Sequence, residues 1–172
     1  PVFFRTDMYE LIDTQTFWLS DTPEKMSNTW GGAYLRICTF VALKNRNTGK
    51  EFIVANVHLD YISQEIRMKS IRLIYDRLSV LNLPTVIMGD FNCPPKSKAA
   101  ALAKQYFVDI GQGFKDENKG TFNDFQKEYP DKKLDYMLQI PGSFTVNKYE
   151  VIDKKFDNHY ASDHFPVYAE IE

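Results

Sequence analysis

The sequence predicts a single α/β (α+β) domain in which mixed or antiparallel sheets are covered by helices. Three observations lead to this prediction. Short apolar segments resemble strands, two segments with helical spacing lie between them, and neither an internal repeat nor a low-complexity linker divides the chain. We therefore expect residues 1–172 to form one folding unit.

The predicted strands are short apolar runs bounded by turn residues. We expect them at residues 1–5, 11–12, 17–20, 36–43, 51–59, 85–88, 134–140, 144–152 and 165–171. A hairpin joins the fourth and fifth of these runs, because Asn47, Thr48 and Gly49 form a typical turn sequence. The run 51–59 alternates poorly and is apolar through its centre, which indicates a strand covered on both faces.

Two helices are predicted between the strands. Ser63 is suited to cap the first helix, and Pro84 prevents that helix from extending further. The apolar residues of this segment recur at helical spacing and are Ile66, Ile71, Ile74, Leu78 and Leu81. A shorter helix, rich in alanine and lysine, is expected at 97–105, and the polar segment 111–133 is expected to be mostly loop.

The composition is typical of a globular protein, with 44% hydrophobic, 26% charged and 15% aromatic residues. The net charge of −2 does not indicate a protein that holds a polyanion by charge alone, although a bound metal ion can supply positive charge. Cys38 and Cys93 fit no zinc or disulfide pattern, so we expect two free thiols in or near the core. No run approaches the roughly 20 apolar residues of a membrane span.

Polar residues gather at the ends of several apolar strands. The clusters are Asn56-Val57-His58-Leu59-Asp60, Met88-Gly89-Asp90-Phe91-Asn92, Leu134-Asp135-Tyr136 and Ser162-Asp163-His164-Phe165-Pro166. Buried charges are unfavourable unless they pair or bind a ligand. A single cluster is typical of a turn, but four in one short chain predict a site assembled from distant parts of the sequence. His159 lies outside them and is interpreted as an exposed loop residue.

These four clusters resemble, in order, the signature segments of the endonuclease/exonuclease/phosphatase family, which includes deoxyribonuclease I-like nucleases and inositol phosphatases. Arg36 resembles the arginine that many members direct at the substrate phosphate. The resemblance covers nearly the whole chain and implies part of a four-layer α/β/β/α sandwich. The residue pattern alone reaches only mixed sheets with flanking helices.

The resemblance also implies roles for the clustered residues in phosphoester hydrolysis. Asp90 is expected to activate the attacking water, and the amide of Asn92, on the same side of an extended segment, to donate to the developing oxyanion. His58 and His164 are expected to donate to phosphate oxygens, which an imidazole does best when protonated, with Asp135 as the partner of His164. The list of expected phosphate contacts is Arg36, His58, Asn92 and His164. Asp163 is the expected ligand of Mg²⁺ or Mn²⁺, with Asp90 and Asn92 as further candidates.

The N-terminal part of the family pattern is not found in this sequence. That pattern begins with a strand bearing an asparagine and continues with a glutamate that is the principal metal ligand. Glu10 and Glu24 stand in the wrong local context to replace this glutamate. We therefore expect a truncated domain with an incomplete metal site, little activity of its own, and an exposed sheet surface that favours self-association.

Three functions are compatible with the sequence. The favoured one is a Mg²⁺-dependent phosphohydrolase acting on a sugar phosphate, an inositol phosphate or a lipid head group. The alternatives are a nuclease for DNA or RNA and a catalytically incomplete binding module. The basic clusters 96–98 and 132–133 are short and are interpreted as solvated loop charges, so nucleic acid is not the favoured partner. The loops 21–34 and 111–133 are expected to determine specificity.

Overall fold

The computed structural model describes residues 1–125, 129–130 and 132–172. Within these ranges the chain forms eight strands and two helices. In chain order the elements are β1 (Tyr9–Trp18), β2 (Ile37–Asn45), β3 (Glu51–His58), α1 (Gln64–Ser79), β4 (Thr85–Asp90), α2 (Lys98–Tyr106), β5 (Val108–Asp109), β6 (Asp135–Gln139), β7 (Val146–Val151) and β8 (Val167–Ile171).

Six strands form one mixed sheet with the order β1-β2-β3-β4-β6-β5. Neighbouring strands are antiparallel except β3 and β4, which run parallel. Parallel neighbours need a crossover connection, and α1 supplies it. The remaining strands, β7 and β8, form a separate antiparallel pair. Because β3 and β4 run parallel, their carboxyl ends meet at the same edge of the large sheet.

Both helices begin at serine caps, as the sequence predicts. The Ser63 hydroxyl accepts a hydrogen bond from the Ile66 N–H at 3.3 Å, and the Ser97 hydroxyl accepts one from the Ala100 N–H at 3.1 Å. The helices contact each other and lie on the large sheet. The fully buried residues of α1 in this contact are Ile71, Ile74 and Leu78.

The two faces of the large sheet pack against different layers. On one face, Ile53, Ala55 and Ile87 pack against α1 and α2. On the other face, Val54 and Val86 pack against residues of β7 and β8. Helices, large sheet and small sheet are thus three of the four layers that the resemblance implies, and the predicted fold class is confirmed.

The N-terminal strands differ most from the prediction. Residues 1–5 form no strand, and the two short pieces expected at 11–12 and 17–20 are replaced by the continuous strand β1. A register shift between Leu11 and Asp13, on a strand that is mostly exposed, interrupts the apolar alternation on which the prediction depends. The short strand β5 falls within no predicted element. In the predicted loop 111–133, residues 126–128 and 131 lie outside the described residues.

Cys38 and Cys93 are both free and buried, as predicted, and burial raises the pKa of each thiol to about 12. Among the described residues, no helix is both long and apolar enough to cross a membrane. The expected self-association through an exposed sheet surface stays a prediction.

Candidate active site

The strand register places three of the predicted residues in one row across the large sheet. His58 at the end of β3 pairs with Asp90 at the end of β4, and Asp90 pairs with Asp135 at the start of β6. Side chains alternate along a strand, so all three residues share the face that carries Val54 and Val86. Segments that are distant in sequence therefore meet at the edge of the sheet beside β7 and β8.

A glycine allows the two central strands to approach at this row. Gly89 has a φ of +136°, and a Cβ at this position would collide with the backbone carbonyl of Val57. Any other residue would force β3 and β4 apart directly before His58 and Asp90. Gly89 is therefore part of what positions the site.

Asp90 is a largely buried carboxylate with two neighbours. Its Oδ1 accepts a hydrogen bond from the Asn92 N–H at 2.8 Å, and its Oδ2 lies 3.3 Å from Nε2 of His58. Burial raises the pKa of Asp90, and the negative charge of Asp135 adds to the effect, while the Asn92 N–H opposes it. Asp90 is thus a stronger base than an exposed aspartate when it is ionised.

His164 and Asp135 form the closest side-chain pair of the site. Nδ1 of His164 lies 2.6 Å from Oδ2 of Asp135. This hydrogen bond raises the pKa of His164, and its partial burial only partly offsets that effect. The ring of Phe122 packs edge-on against the imidazole with the centroids 5.2 Å apart. The ring of His164 is therefore held in one orientation, in which Nε2 is the nitrogen left to bind a ligand.

The pKa values of the two site histidines are shifted in opposite directions. Partial burial lowers the pKa of His58, and the positive charges of Arg36 and His164 add to this effect. The carboxylate of Asp90 opposes the shift but does not reverse it. At neutral pH we therefore expect a neutral His58 beside a His164 with a greater share of the cationic form.

Asn92 was predicted to lie in an extended segment, but its backbone is not extended. Its φ of 49° lies in the left-handed region, which asparagine adopts more readily than most residues. Its side-chain amide donates to the Leu59 carbonyl at 3.1 Å. One amide hydrogen is thus used to join the ends of β3 and β4, and the other remains for a ligand.

Arg36 and Asp163 flank the row of catalytic candidates. Arg36 precedes β2, and its Nε is buried without a hydrogen-bond partner among the described residues. Asp163 lies in the segment before β8 and accepts a hydrogen bond from the Ser162 hydroxyl at 3.2 Å. Its negative charge contributes to the raised pKa of His164, which places it within electrostatic reach of the site.

The expected binding of Mg²⁺ or Mn²⁺ stays a prediction. Over the ranges that the structure describes, no group of three or more His, Cys, Asp or Glu side chains is arranged to hold a metal ion. The carboxylates of Asp90, Asp135 and Asp163 are the kind of ligand that Mg²⁺ prefers, but they do not converge in sufficient number. No catalytic step is therefore assigned to a metal.

Thr121 is a supporting residue that the sequence analysis missed. It is fully buried, and its hydroxyl accepts hydrogen bonds from the N–H groups of Leu134 and Asp135 at 2.9 and 3.0 Å. Its carbonyl accepts from the N–H of Phe165 at 2.6 Å. Thr121 thus links the segments that carry Asp135 and His164. A threonine in a polar loop carries no sequence signal for this role.

The interpretation of residues 132–133 as solvated loop charges is wrong for Lys133, which is only 1% exposed. Its ammonium lies 2.6 Å from Oδ2 of Asp109 and 2.6 Å from the Glu117 carbonyl. A buried lysine is tolerated because these two partners replace its water contacts. The ion pair of Lys133 and Asp109 joins β5 to the segment that leads into Asp135, and so helps to hold that segment in place.

Comparisons with known proteins agree with this architecture. No family model matches the chain, and no curated protein does. An endonuclease/exonuclease/phosphatase family protein from Bacteroides thetaiotaomicron has a TM-score of 0.88 at 29% identity, covering 98% of this chain and 67% of its own. A relative from Bacteroides vulgatus has a TM-score of 0.88 at 28% identity, covering 98% and 68%.

A mannosyl-6-phosphatase from Bacteroides thetaiotaomicron VPI-5482 is also similar, with a TM-score of 0.85 at 29% identity, covering 98% of this chain and 69% of its own. The similarity extends over the large sheet, the helices and the small sheet together, because nearly the whole chain is aligned. The resemblance of this chain to the endonuclease/exonuclease/phosphatase family, predicted from its strand-end clusters, is therefore confirmed by its fold.

Proposed function

We propose that the protein hydrolyses a small phosphomonoester of the sugar-phosphate type, in a reaction that depends on Mg²⁺ or Mn²⁺. The observation that carries this proposal is the row His58–Asp90–Asp135 with His164 bound to its end. The row combines a carboxylate of raised pKa with an imidazole of raised pKa on one sheet edge. Hydrolysis of a phosphoester needs such a pair, a base for water and a donor for phosphate oxygen.

Asp90 acts as the base in this proposal. Its Oδ2 accepts a proton from a water molecule, whose oxygen attacks phosphorus in line with the departing ester oxygen. The bond from phosphorus to the ester oxygen breaks, and the departing oxygen takes its proton from solvent. The hydrogen bond from the Asn92 N–H to Oδ1 fixes the carboxylate plane, so that Oδ2 keeps its direction during the transfer. The imidazole of His58 lies beside this oxygen. In its neutral form, this imidazole orients the water or the carboxylate.

His164 and Arg36 stabilise the negative charge of the phosphoryl group. With Nδ1 held by Asp135, the protonated ring donates from Nε2 to a phosphate oxygen. The guanidinium of Arg36 supplies a permanent positive charge, and the free amide hydrogen of Asn92 supplies a neutral donor. These donors favour the transition state because its charge is spread over the equatorial oxygens.

The proposed metal dependence rests on the oxygen donors at this edge of the sheet. Asp163 is the proposed ligand of Mg²⁺ or Mn²⁺, with Asp90 and Asn92 as further candidates. Asp135 raises the pKa of Asp90, so negative charge is concentrated where a divalent cation would be favoured. The chemistry of these oxygen donors fits a hard cation, although their number is insufficient in the described residues.

The preference for a sugar phosphate comes from similarity to the mannosyl-6-phosphatase at 29% identity. A net charge of −2 gives no general attraction for a nucleic-acid backbone. The ammonium of Lys132, in one of the two short basic clusters, lies 4.8 and 4.5 Å from the ring centroids of Phe122 and Tyr129. This charge therefore packs against aromatic rings of the same chain. The nuclease and the catalytically incomplete binding module are treated as outcomes of the test.

The test measures phosphate release from mannose 6-phosphate and an inositol phosphate, and cleavage products from a phosphodiester and single-stranded DNA, with Mg²⁺ and with EDTA. Because the similar structures are longer than this chain, residues 1–172 and the natural full-length protein are assayed together. We expect the full-length protein to hydrolyse the monoesters in a reaction that EDTA abolishes and Mg²⁺ restores, and residues 1–172 to have little activity. Preferred cleavage of DNA would favour the nuclease, and binding without turnover in both proteins would favour the binding module.

The metal ligand is tested by titrating Mg²⁺ calorimetrically into the wild type and an Asp163→Asn variant. Asp157→Asn, in the exposed β7–β8 connection, makes the same chemical change away from the candidate ligands. We expect weaker Mg²⁺ binding only for Asp163→Asn. Equal affinity of the two variants and the wild type would remove Asp163 from the proposed site.

A further inference from the structure

Two tyrosines form an exposed aromatic surface beside the candidate active site. Tyr34 and Tyr61 are stacked with ring centroids 6.1 Å apart and an interplanar angle of 30°. They are 62% and 53% exposed, and the adjoining Leu35 and Ile62 are exposed as well. Single exposed apolar residues are common, but a contiguous group is typical of a binding surface.

This aromatic surface is held by a buried carboxylate. Asp60 is 1% exposed, and its Oδ2 accepts a hydrogen bond from the Ala33 N–H at 2.9 Å. Its Oδ1 accepts from the N–H groups of Ile62 and Ser63 at 2.9 and 2.7 Å. One side chain therefore joins the segment before β2 to the segment after β3, which carry the two tyrosines. Such fixed loops lose little entropy when a ligand binds.

Arg36 connects the aromatic surface to the catalytic row. Its guanidinium carbon lies 5.6 Å from the centroid of the Tyr34 ring. Tyr61 follows the end of β3 by only three residues, so both tyrosines lie on the His58 side of the site. The positive charge of Arg36 also contributes to lowering the pKa of His58 and of Asp60. A phosphate at Arg36 would therefore lie next to the Tyr34 ring.

We propose that Tyr34 and Tyr61 form a subsite that binds the ring of the substrate's leaving group. This proposal rests on the proposed function and adds a substrate class to it: phosphomonoesters whose ester oxygen is attached to a ring-bearing group. Aromatic faces attract flat ring surfaces, whereas an acyclic alcohol offers none. Two rings are too small for a protein interface, which needs about 800 Å² from each partner.

The test compares three substrates in the wild type and in Tyr34→Ala and Tyr61→Ala variants of the natural full-length protein. Mannose 6-phosphate and phenyl phosphate offer a sugar ring and an aromatic ring, and glycerol 3-phosphate is the acyclic reference. We expect each variant to raise KM for a ring-bearing substrate by about 5- to 100-fold, in line with measured losses of ring stacking. We expect Tyr61→Ala, which leaves the contact between Tyr34 and Arg36 in place, to keep kcat/KM for glycerol 3-phosphate within a factor of two.

Matched variants separate ring contact from general disturbance. Tyr34→Phe and Tyr61→Phe keep the ring and are expected to retain the wild-type KM. Phe3→Ala removes an aromatic side chain that is 90% exposed in the N-terminal segment before β1, and is expected to change nothing. Equal effects on cyclic and acyclic substrates, or no effect on either, would overturn the subsite. The ring-bearing substrate whose KM rises more in the alanine variants would show whether the subsite prefers a sugar ring or an aromatic ring.

Calorimetric binding keeps the subsite testable without turnover. Phenyl phosphate and inorganic phosphate are titrated into the wild type and the two alanine variants. Weaker binding of phenyl phosphate with unchanged binding of inorganic phosphate supports the subsite, even if no phosphoester is hydrolysed and the proposed function fails. Unchanged binding of phenyl phosphate overturns the subsite and leaves the proposed function untouched.

Discussion

The two faces of the large sheet differ most clearly between residues that are neighbours in the sequence. Val57 is 2% exposed beneath the helices, whereas the side chain of the next residue, His58, is 57% exposed on the opposite face. In β4, Ile87 is fully buried on the helix side and Asp90 lies on the other side. The helix face is therefore still apolar at Val57, while the opposite face changes from apolar to polar at the edge that carries His58 and Asp90.

This difference separates stability from chemistry within the same strands. Residues under the helices exclude water and stabilise the fold through burial. Residues at the polar edge lose hydration without full compensation, as the raised pKa of Asp90 indicates. Substitutions on the helix face should lower stability, and substitutions at the polar edge should lower activity with little loss of stability.

The largest effect is expected from Asp90→Asn. Asparagine keeps the shape of the side chain but does not accept a proton from water, so we expect kcat to fall by about 10²- to 10⁴-fold. The midpoint of urea unfolding should stay equal or rise, because burial disfavours the charged carboxylate that is removed. Asp90→Ala and His164→Ala should also lose turnover by orders of magnitude.

Asp76→Asn on the exposed side of α1 is the matched control for Asp90→Asn. Initial rates with a phosphomonoester and urea unfolding are measured for both variants. Near-normal turnover in Asp90→Asn would remove this residue from the role of base.

On the opposite face, Ile87→Ala should lower the free energy of unfolding by about 2–5 kcal/mol, because it leaves a cavity between the sheet and the helices. Urea unfolding measures this loss, and kcat of the folded fraction should change much less than in Asp90→Asn. A loss below about 1 kcal/mol would mean that the side chains around position 87 move in to fill the cavity.

Thr121→Val tests the support beneath the polar edge. The change removes the acceptor of two backbone N–H groups while keeping the shape of the side chain, so we expect a loss of about 1–3 kcal/mol. Thr14→Val on β1, where the hydroxyl only donates to the Phe40 carbonyl, should cost less. Equal losses in the two variants would show that Thr121 has no special part in holding Asp135.

The smallest effect is expected in the pH dependence of Asp135→Asn. The hydrogen bond to Asp135 raises the pKa of His164, so the stability from this pair is fully present below the ordinary histidine pKa. It is lost as the pH rises through the raised pKa of the folded protein. Removing the carboxylate should lower the pKa of His164 and move the alkaline fall in activity to lower pH.

Nuclear magnetic resonance titration of the imidazole rings, carried out on the wild type and on Asp135→Asn, measures this shift. An unchanged pKa of His164 in Asp135→Asn would contradict the assigned cause. The wild-type titration should also show His58 with the lower pKa of the two site histidines.

The helices and most strands were predictable because their signals are local. Ser63 and Ser97 precede apolar residues at helical spacing, and the apolar run 85–88 precedes the polar residues of the site. The same locality made the strand-end clusters visible. The resemblance to the family followed from their order, and the similar structures confirm it.

The remaining features depend on contacts between distant residues. No local pattern shows that β4 lies between β3 and β6, yet this order brings His58, Asp90 and Asp135 together. The burial of Lys133 depends on Asp109, which is 24 residues away. The opposite pKa shifts of the two histidines likewise follow from neighbours that only the fold supplies.

The most direct test of the proposed site is the position of a bound phosphate mimic in crystals of the protein soaked with tungstate. We predict that the anion binds at the polar edge of the large sheet, within hydrogen-bonding distance of Nε2 of His164 and beside Arg36 and Asp90. Tungstate bound reproducibly elsewhere, with no anion at this edge, would contradict the assignment of these residues to phosphoester hydrolysis.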